Sequence, residues 1–449
     1  MMDRTGRRAW RLGLVATLLS VAVGSAAQSA MTWNGTAASA PTAATASDAP
    51  ALAARPLVPA VNIAEVEAMA QQLVANGRIP GLAVAIVQDG RVLSARGYGV
   101  TDAHAGSPVD AHTVFRLASL SKSFAGTVTG ILVNDGVLRW DSHLVDYVPD
   151  FKLSRPGAAE QVTVADLLSH RVGLTRNAYD RDLEANADVR SLTLRMANAP
   201  MTCAPGECYA YQNVAFSLIG DIVFAATGQF YSETVARRIF KPLGMHDASY
   251  GLEGLEASAR WARPHVRGRG GWVPVSPKPN YYRVAPAAGV NASISDMAQW
   301  LIAQSGHRPD VLPAPLLATL HTPLVQTPSE LRGSGWRRAR LSSAGYALGW
   351  RVFDYAGHQV VFHGGAVQGY RTAMAMLPDR DLGIAILWNS ESALPSGLLP
   401  TVLDRALGIS GGQWLDEDVL PDESTQTLYA GKPANGAGAD ASAAQASPF

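Results

Sequence analysis

Strand-like segments lie near both ends of this 449-residue chain, and a long stretch of mostly helical pattern separates them. Near the beginning, two β-prone runs at 82–87 and 91–95 flank Asp89 and Gly90, a dipeptide typical of tight hairpin turns. Three runs near the other end predict strands at 359–363, 370–377 and 382–388. We therefore expect an α/β, or α+β, fold in which an antiparallel sheet takes strands from both chain ends and is flanked by helices. The residues in between would form an inserted, mostly helical lobe.

Apolar residues at helical spacing predict several helices around this sheet. The first covers 63–75, where apolar residues recur at three- and four-residue intervals until Asn76 and Gly77 end the pattern. A closing helix is predicted at 399–407. Within the lobe, the same pattern predicts helices at 164–168, 214–226 and 295–303.

The first 27 residues have the features of a cleaved signal peptide. Four arginines precede an apolar run at 12–23, which is too short to cross a bilayer comfortably, and small residues follow at 24–27. We expect cleavage after Ala27 and export to the periplasm or the medium, with no membrane anchor left after cleavage. An uncleaved N-terminal anchor is the alternative.

Two further segments lack a sustained apolar period. Residues 28–58 are rich in Ala, Thr, Ser and Pro, a composition typical of a flexible linker, and 411–449 has the character of a flexible tail. We expect the remaining residues, 59–410, to form one folded domain.

The charge balance and the histidine spacing argue against several classes of function. The chain has 37 basic and 37 acidic side chains, so no excess of positive charge favours binding to nucleic acid. Its ten histidines form no His-x-x-x-His pair and no cluster with cysteine, which argues against a metal site. A glycine-rich phosphate loop is also absent from the sequence, and we expect no cofactor.

The strongest chemical signal is a serine three residues before a lysine, at Ser119 and Lys122. On the long apolar helix predicted here, residues three apart share a face. A serine hydroxyl is a weak nucleophile until a neighbour takes its proton, and a lysine in apolar surroundings can do so because burial lowers its pKa. Only five of the 37 basic residues are lysines, which favours a specific need for an amine at Lys122. The alternative is an ordinary lysine that extends to solvent.

A second signal is the only Tyr-x-Asn of the chain, formed by Tyr211 and Asn213. A phenol beside a lysine ammonium loses its proton more easily and can act as a base or a proton shuttle. The Asn213 amide offers both a donor and an acceptor to an amide substrate. Taken alone, this pattern is more often a buried structural tyrosine before a helix.

A third signal ends the strand predicted at 359–363. Gly364 and Gly365 come directly after His363 and allow another chain or a ligand to approach the backbone closely. The N–H of Ala366 could then serve as an oxyanion donor. The alternative is a simple glycine bend at the end of a strand.

The order of these signals, Ser-x-x-Lys, Tyr-x-Asn and a triplet on a strand, resembles class C β-lactamases and related penicillin-binding proteins. Further segments look like landmarks of the same family, at 136–141, 162–170, 241–245, 287–290 and 377–379. The resemblance covers nearly all of the folded unit and implies a β-lactamase/transpeptidase-like fold. The third signal departs from the family, whose β-lactamases carry Lys-Thr-Gly where this chain has His-Gly-Gly.

The resemblance also implies roles for individual residues. Ser119 would be the nucleophile, and Lys122 and Tyr211 would handle its proton. The substrate-binding residues would be Asn213, His363, Gly364, Gly365 and Ala366. The N–H groups of Ser119 and Ala366 would form the oxyanion hole. His170, within one of the landmark segments, would be a structural hydrogen-bonding residue outside the reaction.

Three functions remain open from the sequence. Hydrolysis of β-lactam amides is the first expectation, with a small molecule or a cell-wall peptide as the substrate. A lysine at the third signal suits a substrate carboxylate, whereas a histidine is mostly neutral near pH 7. A D-alanyl peptidase or a short-chain carboxylesterase is therefore the alternative within the family. A non-catalytic binder of cell-wall peptides is the alternative of another class.

The two cysteines, Cys203 and Cys208, flank a turn-forming Ala-Pro-Gly-Glu segment just before Tyr211. Export would place them in an oxidising compartment, where such a pair can form a disulfide. A disulfide here would fix the approach to Tyr211. The alternative is a pair of free thiols that behave as small apolar side chains.

Replacing Ser119 by alanine is expected to abolish turnover and to leave the fold intact, because it removes the nucleophile but little packing. The expected loss in rate is at least about a hundredfold, measured on purified protein with a chromogenic substrate. Retention of more than a few per cent of the wild-type rate would show that Ser119 is not the nucleophile.

Overall fold

The computed structural model describes residues 59–75, 77–333 and 335–415. The predicted signal peptide, the linker and most of the tail lie outside these residues. The strands are β1 (Gly81–Gln88), β2 (Arg91–Gly99), β3 (Phe115–Arg116), β4 (Ser249–Tyr250), β5 (His265–Gly268), β6 (Gly271–Pro274), β7 (Val290–Ala292), β8 (Val325–Gln326), β9 (Leu341–Tyr346), β10 (Arg351–Tyr355), β11 (His358–Val367), β12 (Tyr370–Leu377) and β13 (Leu382–Trp388).

The helices lie mostly between the strands of the two chain ends. They are α1 (Ile63–Ala75), α2 (Ser121–Asn134), α3 (Val164–Leu168), α4 (Asp180–Glu184), α5 (Val189–Arg195), α6 (Ile219–Thr227), α7 (Tyr231–Val235), α8 (Lys241–Leu243), α9 (Gly251–Glu256), α10 (Ala285–Ala288), α11 (Ile294–Ile302), α12 (Ala314–Leu320), α13 (Gly335–Arg340) and α14 (Leu398–Leu407). Within the described ranges, no helix is both long enough and apolar enough to cross a membrane.

The large sheet combines strands from both ends of the chain. Its eight strands are antiparallel and follow the order β2-β1-β13-β12-β11-β10-β9-β8. Strand β1 pairs with β13 from Leu82 opposite Trp388 to Gln88 opposite Leu382. The predicted antiparallel sheet from both chain ends, with helices around it, is confirmed.

The β1–β2 hairpin turns at the dipeptide that the sequence indicated. Asp89 and Gly90 both have positive φ, at 49° and 67°. A two-residue hairpin turn of this kind requires positive φ at both central positions, and aspartate and glycine adopt it at low cost. The turn therefore sets the pairing of the residues next to it, and the register shifts at an irregularity between Ile86 and Val87.

The predicted helices are present, and local caps decide where their boundaries differ. Helices α1 and α3 have the predicted bounds, and α14 begins one residue earlier. Helix α11 begins at residue 294 because Ser293 caps it: the Ser293 hydroxyl accepts from Asp296 N at 3.2 Å, and the Asp296 carboxylate accepts from Ser293 N at 3.0 Å. The helix predicted at 214–226 opens with a 3-10 turn before α6.

The sheet separates two apolar cores, as the side chains of β1 illustrate. Successive side chains of a strand point to opposite faces. Those that face the core shared with α1 and α14 are Leu82, Val84 and Ile86. Those that face the core shared with α2, α11 and the lobe are Ala83, Ala85 and Val87. All of β1 is buried, as expected for a strand covered on both faces.

Helix α2 is buried along most of its length and touches the β9–β10 connection backbone to backbone. Gly126 lies against the carbonyl oxygen of Leu348, and Gly349 lies against the carbonyl oxygen of Lys122. A Cβ atom at either glycine would overlap the oxygen that it faces, and Gly349 also has a φ of 81°. These two contacts fix the position of the α2 segment that carries Lys122.

The C-terminal end of the described chain is held to the body by Asp404. Its carboxylate accepts hydrogen bonds from Trp414 Nε1 at 2.9 Å, Tyr355 Oη at 2.6 Å and the Arg340 guanidinium at 3.0 Å. Trp414 is buried, although the sequence analysis assigned it to the flexible tail. A single tryptophan with a buried polar partner extends the packed body beyond residue 410.

Replacing Gly126 by alanine is expected to destabilise the protein, although alanine is normally favoured over glycine in a helix by about 1 kcal/mol. The added methyl group would meet the Leu348 carbonyl, and overpacking of this kind typically costs about 1–3 kcal/mol. Thermal unfolding measures the effect. Gly130→Ala is the matched control, because its methyl group would meet a flexible side-chain end, Leu316 Cδ1. Equal or higher melting temperatures for Gly126→Ala would contradict the packing described.

Candidate active site

Ser119 lies in a short 3-10 turn, Ala118–Leu120, immediately before α2. Ala118 is fully buried and has a φ of 50°, a left-handed conformation that costs a residue with a Cβ about 1–2 kcal/mol. The preceding residue is held on both sides: Leu117 N donates to Val290 O at 2.9 Å, and Leu117 O accepts from Thr372 Oγ1 at 3.0 Å. The turn is therefore fixed by β7 and β12 and presents the serine at the N-terminal end of α2.

The side chain of Lys122 is completely buried beside Ser119. Its Nζ lies 3.4 Å from Ser119 Oγ, 2.7 Å from Asn213 Oδ1 and 3.1 Å from the carbonyl oxygen of Ala287. The structure thus brings the serine, the lysine and the asparagine of the first two sequence signals together. The alternative of a lysine that extends to solvent is wrong, because the amine has no exposed surface.

The surroundings of Lys122 suit a neutral amine. Burial lowers the pKa of Lys122 well below its ordinary value; the charge of Asp180 opposes this shift and the charge of Arg351 adds to it. A neutral amine has two N–H donors and one lone pair. The asparagine and alanine oxygens accept the two donors, so the lone pair faces the serine hydroxyl, as a proton acceptor requires.

Tyr211 lies beside the same two residues. Its ring centre is 4.6 Å from Lys122 Nζ, and its hydroxyl is hydrogen-bonded to Ser119. Burial raises the pKa of Tyr211, and the hydrogen bond to Ser119 and the charge of Arg351 oppose this only in part. The expectation that a lysine ammonium makes this phenol more acidic is wrong, because burial disfavours phenolate and ammonium alike. The surroundings of Lys122 therefore suit a base better than those of Tyr211, whose phenol is disfavoured from losing its proton.

His170 supports the segment that carries Tyr211. Its carbonyl oxygen accepts from Ala210 N at 2.9 Å, and its Nδ1 accepts from Gln212 N at 3.1 Å. The ring centre lies 4.3 Å from that of Tyr211. Burial lowers the pKa of His170 well below its ordinary value, and the charge of Lys122 adds to this, so the ring is neutral with its proton on Nε2. These contacts fit the structural role expected from the sequence.

Asn213 connects Lys122 to Asp180, a residue that the sequence analysis missed. The Asn213 Nδ2 group donates to Asp180 Oδ2 at 2.7 Å, and both side chains are buried. Burial raises the pKa of Asp180 to about 6, and the hydrogen bond from Asn213 is the largest effect that opposes this. No motif in the sequence marks Asp180. Asp182, on the same short helix, cannot be told apart from it by the sequence, yet Asp182 forms an ion pair with Arg195 at the surface.

Strand β11 comes close to the turn that carries Ser119 at Gly365. A Cβ atom there would overlap the carbonyl oxygen of Leu117 and lie 3.1 Å from Ser119 N. At Gly364 the nearest atom to an added Cβ, Thr372 O, would be 3.3 Å away. The two glycines are therefore not equivalent, and the second is the one that lets the strand reach the serine turn.

The N–H of Ala366 points away from β12. Val367 and Tyr370 flank a two-residue turn, and hydrogen-bonded and non-hydrogen-bonded pairs alternate along an antiparallel ladder. Ala366, opposite Arg371, therefore belongs to a non-hydrogen-bonded pair. On the other edge of β11, the pairing with β10 reaches only to Phe362. The Ala366 N–H thus has the direction that an oxyanion donor beside Ser119 needs.

His363 is buried and directed into the protein. Its Nε2 lies 3.0 Å from Tyr346 Oη, and its Nδ1 lies 2.7 Å from the carbonyl oxygen of Gly364. A carbonyl oxygen only accepts, so Nδ1 carries a proton, and a neutral ring can accept from the tyrosine at Nε2. Both contacts are satisfied without a positive charge at the position where the family's β-lactamases carry lysine.

Arg351 places a permanent positive charge beside the ring of Tyr211. The guanidinium carbon of Arg351 is 5.6 Å from the ring centre of Tyr211 and 5.7 Å from that of Tyr346. Arg351 forms an ion pair with Glu330, which also pairs with Arg337, and all three side chains are buried. The sequence analysis missed this cluster because its members follow no recognisable spacing.

Cys203 and Cys208 are joined by a disulfide, with their Cα atoms 6.2 Å apart. The loop that they close leads into the segment of Tyr211. Cys203 O faces Gly173, three residues after His170, so closely that a Cβ atom at Gly173 would lie 2.6 Å from it. The disulfide loop therefore packs against the same support that holds the tyrosine.

Among the described residues, no group of three or more His, Cys, Asp or Glu side chains is arranged to hold a metal ion.

The chain belongs to the Beta-lactamase family, whose model matches residues 66–407. It is 27% identical to an unguisins hydrolase from Aspergillus campestris over 344 residues, which are 74% of this chain and 62% of that protein. It is 26% identical to Protein flp from Staphylococcus aureus over 320 residues, 71% of this chain and 61% of that protein. The chain thus matches less than two thirds of the length of these curated relatives.

Solved structures show the same fold. The octameric penicillin-binding protein homologue from Pyrococcus abyssi has a TM-score of 0.69 and 25% identity, and the similarity covers 78% of each chain. The D-amino acid amidase from Ochrobactrum anthropi has a TM-score of 0.61 and 20% identity, over 76% of this chain and 97% of that one. The predicted β-lactamase/transpeptidase-like fold and the family resemblance are confirmed.

Gly365→Ala is expected to lower kcat/KM by about a hundredfold, because the methyl group would push β11 away from the serine turn, and displacements near 1 Å have effects of this size. Gly364→Ala is the matched control and should stay within a few-fold of wild type. Steady-state kinetics on both folded variants tests this. Equal losses in the two variants would contradict the assigned approach of β11 to Ser119.

Proposed function

We propose that this protein hydrolyses amide or ester bonds through a covalent acyl-enzyme on Ser119. The main support is one contact: the buried amine of Lys122 lies 3.4 Å from Ser119 Oγ, with its other hydrogen-bonding positions occupied. Membership of a family of serine hydrolases and the similarity to an unguisins hydrolase support catalysis as well. A non-catalytic binder of cell-wall peptides would have no use for a buried neutral amine beside a serine.

Acylation would begin when Lys122 takes the proton of Ser119 and the oxygen attacks the substrate carbonyl carbon. The negative charge that develops on the carbonyl oxygen would be stabilised by the N–H groups of Ser119 and Ala366. The proton would return through Lys122 and Tyr211 to the leaving nitrogen or oxygen as its bond to the carbonyl carbon breaks. The products of this step are the free leaving group and the acyl ester on Ser119.

Deacylation would repeat these steps with water as the nucleophile. Lys122 would accept the proton from water as the water attacks the ester carbonyl, either directly or through Tyr211, which would pass its own proton to Lys122 as it receives one from the water. The same two N–H groups would stabilise the oxyanion. The proton would return to Ser119 Oγ as the ester bond breaks. The acid product leaves, and the free serine is restored.

His363 favours substrates that do not present a carboxylate to β11. Its two hydrogen-bonded ring nitrogens are satisfied in the neutral form, and its side chain is buried. Penicillins and cephalosporins carry a carboxylate on the fused ring, which a lysine at this position would bind. We therefore propose esters and peptide amides as better substrates than β-lactams, although β-lactams were the first expectation from the sequence.

The proposed location is the periplasm or the medium. The expected signal peptide supports export, and so does the disulfide between Cys203 and Cys208, because structural disulfides persist in oxidising compartments.

The substrate preference can be tested with three chromogenic donors: a short-chain nitrophenyl ester, a D-alanyl nitroanilide and a cephalosporin. We expect kcat/KM for the ester or the anilide to exceed that for the cephalosporin by at least about tenfold, corresponding to roughly 1.4 kcal/mol. Ser119→Ala, measured in parallel, gives the background rate. Faster turnover of the cephalosporin would overturn the preference, and turnover by Ser119→Ala would overturn the acyl-enzyme itself.

A further inference from the structure

We infer that Asp180 is a positioning residue for the proposed acyl transfer: its carboxylate orients the amide of Asn213 so that the amide oxygen, and not the amide N–H, faces Lys122. The inference rests on the proposed function, because it concerns the base of that reaction. It assigns a role to a residue outside the three sequence signals.

The contacts form a buried chain of three side chains. Lys122 Nζ donates to Asn213 Oδ1 at 2.7 Å, and Asn213 Nδ2 donates to Asp180 Oδ2 at 2.7 Å. The exposed fractions of these residues are 0%, 4% and 5%. The second oxygen of Asp180, Oδ1, is buried and has no hydrogen-bond partner among the described residues.

An ionised carboxylate only accepts hydrogen bonds, so it selects one of the two orientations of the Asn213 amide. In that orientation the amide oxygen takes one N–H of the Lys122 amine. In the reverse orientation the amide would present an N–H to the amine, where it would compete with the serine hydroxyl for the lone pair. Asp180 thus keeps the lone pair of a neutral Lys122 available to Ser119.

The position of Asp180 is itself fixed by the fold. It is the first residue of α4, and the preceding Tyr179 has a φ of 65° while its hydroxyl donates to Arg195 O at 2.7 Å. At the other end of α4, the Asn280 side chain donates to Leu183 O at 3.1 Å and to the following carbonyl at 2.8 Å. Asn280 lies shortly before α10, whose Ala287 carbonyl accepts the second Lys122 donor. The helix that carries Asp180 is therefore packed against the segment that leads to the Ala287 acceptor of the amine.

Asp180 also supplies a negative charge that acts on the amine and opposes the lowering of its pKa. The other titratable or charged groups that act on this pair are Arg176, Glu184, Arg351, Tyr211 and His170. Loss of the carboxylate charge would leave Lys122 with burial and the positive charge of Arg351, both of which favour the neutral amine. The acid limb of the rate profile should then move to lower pH.

The test uses Asp180→Asn, which keeps the shape and removes the charge, and Asp180→Ser, which is smaller and introduces no clash. The pH dependence of kcat/KM for a nitrophenyl ester is measured from pH 4.5 to 9. We expect the maximal rate to fall by about tenfold or more and the acid limb to move down by about one pH unit, a size typical for the loss of a neighbouring charge.

Asp296→Asn is the matched control. Asp296 is buried, burial raises its pKa to about 6 as well, and it belongs to the capping box of α11 away from Lys122. Its replacement should lower the melting temperature and leave the acid limb where it is in the wild type.

The outcomes separate this inference from the proposed function. If the wild type acylates at Ser119 and either folded Asp180 variant keeps both the wild-type rate and the wild-type acid limb, the positioning role is wrong. If both variants fail to fold while Asp296→Asn folds, Asp180 is a structural residue and the inference is overturned. If the wild type itself shows no turnover that depends on Ser119, the proposed function fails first.

Discussion

The complete burial of one lysine amine is the constraint on which the rest of this site depends. An ammonium in that position would lose its hydration, so burial favours the neutral form and leaves a base next to a serine. The fold must then satisfy two N–H donors without supplying enough negative charge to restore the ammonium. It does so with one backbone carbonyl and one amide oxygen, and it keeps the carboxylate of Asp180 one side chain further away.

Several close backbone contacts hold the elements of the site in place. Gly126 and Gly349 bring α2 against the β9–β10 connection, and Gly365 brings β11 against the serine turn. The serine turn includes a strained alanine, Ala118, which persists because hydrogen bonds from two strands hold the residue before it. Small residues thus let α2, the β9–β10 connection, β11 and the serine turn meet close to the Ser119 hydroxyl.

Much of this could be predicted from local patterns. The strands at both ends, the Asp-Gly turn and the bounds of α1 follow from apolar periods and turn residues, which depend only on neighbouring positions. The three signals around Ser119, Tyr211 and His363 were also visible, because each lies within a few residues of sequence. The structure brings all three to one place, although they are up to 244 residues apart in the numbering of the chain.

The parts that could not be predicted depend on contacts between distant residues. Asp180 looks like any aspartate on a polar helix until Asn213 is placed beside it, and Glu330 becomes informative only when two arginines converge on it. The expected lowering of the Tyr211 pKa was wrong, because a sequence shows that a charged residue is near but not how deeply the phenol is buried. The distinction between Gly364 and Gly365 likewise needs the position of Leu117, more than two hundred residues earlier.

The central claim is that burial holds the pKa of Lys122 well below its ordinary value, so that the amine can serve as a base beside Ser119. With only five lysines in the chain, nuclear magnetic resonance of lysine labelled with ¹³C and ¹⁵N at the side-chain end can follow each amine through a titration. Lys122→Arg assigns the signal. We expect the Lys122 amine to lose its proton at a pH well below the ordinary lysine pKa of about 10.4, because burial disfavours the ammonium. Titration of Lys122 together with the other lysines would contradict this account of the site.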